Sequence, residues 1–88
     1  MISRNRIECR VVLSPGVAAT ERLQLMEIIE KWSLALTGVR PSKLVGAPNL
    51  ILFAVYSDRH TTFEGLRRCL PGEFVKDVVV DGVSWEQS

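Results

Sequence analysis

Between Tyr56 and Gly65 the chain reads YSDRHTTFEG, which sets a serine, an aspartate, the single histidine, two threonines and a glutamate within ten positions. In acyl-transfer enzymes such residue types make a nucleophile, its base and an orienting acid, with the imidazole bridging the other two side chains. Ser57, His60 and Asp58 would take those roles here. Neighbouring residues at a strand end project in opposite directions, however, and no G-x-S-x-G turn accompanies them. Backbone chemistry accounts for the same residues more simply. Thr61-Thr62-Phe63-Glu64 contains T-x-x-E, in which threonine and glutamate oxygens satisfy the first unpaired N–H groups of a helix, and Asp58 suits a turn. The expectation is a helix start at about Thr62 with no catalytic residue.

Metal chemistry is equally thin. Asp58, His60, Glu64 and Cys69 are the nearest ligand types, and His60 with Glu64 has i,i+4 spacing, but two ligands do not make a site. Cys9 and Cys69 lie sixty positions apart with no C-x-x-C, which fits neither a zinc site nor a disulfide framework. Neither a metal nor a cofactor is expected. A second loop, Leu13-Ser14-Pro15-Gly16-Val17, places a glycine between a strand and a helix N-terminus, where backbone donors can meet an anion. It lacks G-x-x-x-x-G-K-[ST] and G-x-G-x-x-G, so turn chemistry explains it. For a small molecule, residue type singles out Arg10, Tyr56, His60 and Trp85 as candidate ligand-binding side chains.

The elements that must position these residues follow from periodicity. Arg6 to Leu13 alternates, with Ile7, Cys9, Val11 and Leu13 on one side and Glu8, Arg10 and Val12 on the other, which is a strand with one buried face. After Ser14-Pro15-Gly16 the period changes to that of a helix from about Ala18, with Leu25, Ile28, Ile29, Trp32 and Leu36 on one stripe. Thr20 or Ser14 is placed to cap it, and Thr37-Gly38 to stop it. Arg40 to Val45 is a short edge strand, followed by a turn at Gly46-Ala47-Pro48-Asn49. Leu50 to Val55 is apolar on both faces and so reads as a central strand. A second helix ends at Pro71-Gly72, and a last strand runs from Phe74 to Trp85, broken at Asp81-Gly82 by a bulge or tight turn.

This order predicts an α+β fold, a ferredoxin-like βαββαβ sandwich whose four-stranded antiparallel sheet carries two helices on one face, in a single domain over 1–88. The Pro-Gly of the first loop is similar to the ligand-binding loop of ACT regulatory domains, which share the element order. That likeness implies a small-molecule-binding regulatory role. NLILFAVYSD is similar to the RNP1 strand of RNA-recognition motifs, with Phe53 and Tyr56 at aromatic positions. It departs from that strand at Ile51, at Asn49-Leu50 and, on the first strand, at Arg10.

With helices on one face, the other face is left with an apolar strip from the 50–56 strand and from VVV at 78–80. Leu52, Phe53 and Val79 mark it, Leu52 and Phe53 being alternatives because they point opposite ways. The tail Val83-Ser84-Trp85 is a possible cover from within the chain. Otherwise the strip implies a homodimer or another protein partner. Charge does not favour nucleic acid: the net charge is +1, and residues 1–44 carry seven Lys or Arg against four Glu, whereas 45–88 carry four against six acids. Arg4, Arg6, Arg10, Arg40 and Lys43 could still make one mildly basic side. With no signal-peptide h-region and no long apolar run, a cytoplasmic protein away from membranes is expected. The function so read is a non-catalytic association module.

Overall fold

A computed structural model describes residues 6–85 of the 88-residue chain, so Arg4 of the expected basic side lies outside the described residues. Its elements are β1 (Arg6–Leu13), α1 (Ala19–Thr37), β2 (Ser42–Ala47), β3 (Leu50–Tyr56), α2 (Arg59–Cys69), β4 (Val75–Val80) and β5 (Val83–Ser84). They build two helices and one open antiparallel sheet in the order β2-β3-β1-β4-β5.

The expected count of four strands is corrected to five. Asp81 and Gly82 both take positive φ, 53° and 79°, as a two-residue hairpin turn requires, so the chain reverses after Val80 and adds a short strand instead of running on. β2 also begins two residues later than expected, after Pro41, which has no N–H to give a ladder. It runs through Ala47, leaving Pro48-Asn49 as the turn.

One face of the sheet carries the core. Cys9, Val11, Ile51, Phe53, Val55, Val78 and Val80 are buried there against Leu25 and Ile29 of α1 and Phe63 and Leu66 of α2. Gly38, at φ 80°, ends α1 in the left-handed cap anticipated from Thr37-Gly38, and its N–H donates to the Leu34 carbonyl at 2.9 Å. The start of α1 differs from expectation. The first helical N–H groups need acceptors, and Glu21 Oε1 accepts from the Ala18 N–H at 2.9 Å, so neither Thr20 nor Ser14 is the cap. Ser33 enters the apolar stripe fully buried because its Oγ donates to the Val39 carbonyl at 3.0 Å, which removes the cost of an unpaired hydroxyl.

The helices approach closely at Gly65. A Cβ there would stand 2.7 Å from Cε2 of Trp32, so a glycine in the middle of α2 is explained by the indole lying against its backbone. Among the described residues no helix is long and apolar enough to cross a membrane.

Candidate functional site

The hydrolase-like cluster resolves into a helix start. Asp58 is the N-cap of α2: its Oδ1 accepts from the Thr61 N–H at 2.7 Å and its Oδ2 from the Thr61 hydroxyl at 2.8 Å. These bonds, the backbone one first, hold the Asp58 carboxyl below its ordinary value. The expected T-x-x-E cap is therefore corrected. The helix begins three residues earlier, at Arg59, and Thr62 is fully buried with its hydroxyl donating to the Asp58 carbonyl at 2.7 Å. Both carboxylate oxygens of Asp58 are engaged by Thr61, and His60 lies exposed in the first turn.

No group of three metal-ligating side chains gathers among the described residues, and no buried side-chain nitrogen or oxygen there lacks a partner. In the loop at Ser14-Pro15-Gly16, Gly16 takes φ 85°, and the nearby N-terminus of α1 already has a carboxylate, Glu21, on its first donor.

The open face of the sheet is the remaining candidate. Register decides which side of β3 it receives. Cys9 pairs with Phe53 and Arg10 with Leu52, so Phe53, 1% exposed, goes to the core while Leu52, 42% exposed, faces out. Phe53 is therefore withdrawn both as an interface residue and as a base-stacking aromatic. Of β3, Leu52 and Tyr56 are exposed on the open side and Leu50 is half-buried, whereas Ala54, in the same phase, is fully buried between them.

Cross-strand pairing aligns Val45, Leu52, Arg10, Val79 and Ser84 in one row that crosses all five strands. An arginine thus stands at the middle of the sheet with Leu52 on one side and Val79 on the other. Around it the face forms a trough of about 410 Å3, lined by Glu8, Arg10, Lys43, Val45, Leu52 and Val79 together with Cys9, Phe53 and Gly82.

An irregularity in β2 shapes its rim. Ser42 pairs with Ala54 and Val45 with Leu52, so two residues, Lys43 and Leu44, stand opposite Phe53 alone. Leu44 packs against the core. Lys43, at φ 55°, is released to the trough.

The four candidate ligand residues do not come together. Tyr56 shares the open face but pairs with Arg6, four residues along β1 from Arg10. His60 sits on the first turn of α2. Trp85 packs against the core cluster, with the Arg67 guanidinium 5.5 Å from its ring centroid, so the sheet separates it from Arg10. Val83 and Trp85 both pack against the core cluster on the helix side, so neither of these two side chains covers the trough.

Of the anticipated residues, Arg10, Leu52 and Val79 line the trough. Lys43 was anticipated only as one charge of a basic side, and Val45 not at all. Arg6 joins that side on the same face, where it meets Glu8 at 3.3 Å and Ser42 at 3.4 Å. The chain matches no family model, no curated protein and no solved structure.

Proposed function

We propose that this chain is a ferredoxin-like association module that forms a homodimer through the open face of its sheet. The order β2-β3-β1-β4, with a helix after β1 and another after β3, supports the fold reading, β5 being an addition at the β4 edge. One observation supports the function. Leu52, Val45 and Tyr56 are 42%, 54% and 40% exposed on neighbouring strands, on the face opposite the two described helices. Contiguous apolar side chains on a face of this kind are stabilised by a second surface that removes them from water, and two-fold self-pairing is the commonest way to supply one.

The test compares two adjacent residues by light scattering at several concentrations. The wild-type chain is expected at twice the 9.9 kDa chain mass. Leu52→Glu is expected to give a folded monomer, because it replaces an exposed apolar side chain of the proposed interface with a hydrated carboxylate that the monomer tolerates at its surface. Phe53→Glu is expected to unfold, because it buries an unpaired carboxylate in the core. A wild-type chain that remains monomeric throughout, or a Leu52→Glu variant that remains dimeric, rejects the reading.

A further inference from the structure

The charges around the trough do not balance locally. Glu8 is engaged by Arg6 at 3.3 Å, whereas Arg10 and Lys43 form no ion pair among the described residues. Two cations therefore face an aliphatic floor, while Glu8 is paired with Arg6 and Asp77, on the same face, accepts from the Ser84 hydroxyl at 2.8 Å.

Lys43 adds an independent observation. A lysine at φ 55° is strained, because in the left-handed region its Cβ crowds the following carbonyl. The bulge that imposes this conformation turns Leu44 into the core and Lys43 to the trough. β1 and β2 stand two strand spacings apart, about 10 Å, so the two long cationic side chains approach Leu52 from opposite sides.

We propose that the trough is a binding site for an aliphatic monocarboxylate, its carboxylate held by Arg10 and Lys43 and its chain laid over Val45, Leu52 and Val79. The volume of about 410 Å3 falls within the ~300–1,000 Å3 of small-ligand pockets. Arginine meets a carboxylate through two parallel N–H bonds, and these strengthen where neighbouring apolar groups exclude water. The floor offers no aromatic ring on which a base could stack, since Phe53 is in the core and Tyr56 lies away from the Arg10 row.

The proposal shares Val45 and Leu52 with the association reading, so in a dimer the carboxylate would lie between the two sheets, and the two readings are tested separately. Octanoate, octanol and octylamine serve as probes of equal chain length, titrated calorimetrically and followed by amide chemical shifts. Octanoate is expected to bind at least ~10-fold more tightly than either other probe, with shifts centred on Arg10, Leu52 and Val79. Arg10→Met and Lys43→Met each keep the aliphatic stem and are expected to weaken octanoate about 10-fold or more, the loss of a charge-assisted hydrogen bond, with octanol unchanged. Native-like amide spectra verify that both variants fold.

Absence of octanoate binding, equal binding of octanol, unchanged affinity in both variants, or shifts centred elsewhere would each overturn the proposal. Mass is measured on the same samples. A monomer that binds octanoate in the charge-dependent way defeats dimerisation alone, and a dimer indifferent to octanoate defeats the carboxylate site alone.

Discussion

At position 9 a thiol occupies the core side of the central strand, 3% exposed, with its sulfur 3.9 Å from the Ile7 carbonyl. Burial, and after it the charges of Glu8 and Asp81, push the Cys9 pKa from 9.0 up to about 12. The thiolate is the reactive species, so native Cys9 behaves as a small apolar residue rather than a nucleophile. A raised value also ties stability to pH. Above 9.0 the unfolded chain gives up this proton while the folded chain retains it, so the contribution is whole below 9.0 and lost as pH rises toward 12. Cys69, pushed up to about 11 by burial, acts in the same sense. The expected outcome is a melting temperature that falls with pH above 9.0, and falls less steeply in Cys9→Ala. Parallel curves for the two proteins would remove this account of the thiol.

At the scale of elements, the contact between the helices rests on the absence of a side chain. Gly65→Ala should raise the intrinsic preference of α2 for helix by about 0.5–1 kcal/mol, yet it drives a methyl group into the Trp32 indole. The clash should prevail, with a net loss of about 1–2 kcal/mol in urea unfolding; a more stable variant would show that the indole yields freely. This closeness is not legible in the sequence, where Gly65 reads as a poor helix residue and nothing ties it to Trp32. β1 was legible because polar and apolar residues alternate along it. β3 was legible as a strand but not as to side, since LILFAVY is apolar in both phases and only pairing with Cys9 and Arg10 sends Phe53 inward. The start of α2 was obscured by two cap signals, D-x-x-T and T-x-x-E, lying three residues apart. Aspartate is the stronger cap, and using it leaves Thr62 free for the core. Of the trough, Arg10 was visible as a charge on the outer phase of β1. The bulge that brings Lys43 there was not, because nothing local distinguishes SKLVGA from a regular strand.

For the whole molecule, the governing feature is that β1 sits at the centre of the sheet between β3 and β4. Both of its partners follow it in the chain, one after a long helix and the other after two helices and a hairpin. Closing such distant pairs costs chain entropy before any contact is made, so refolding is expected on the millisecond-to-second scale of non-local topologies rather than the microseconds of helical bundles. Stopped-flow fluorescence of the tryptophans would measure it, and a microsecond phase carrying the full amplitude would contradict the argument. The same arrangement bears on synthesis. A ribosome delivers β1 well before β4, and until β4 emerges the core residues Val78 and Val80 are missing from the sheet. During that interval the nascent chain carries LILFAVY, a seven-residue segment of high strand propensity with no charge, proline or glycine, without its finished surroundings. Fragments that end before Val75 are therefore expected to aggregate more readily than chains that include β4.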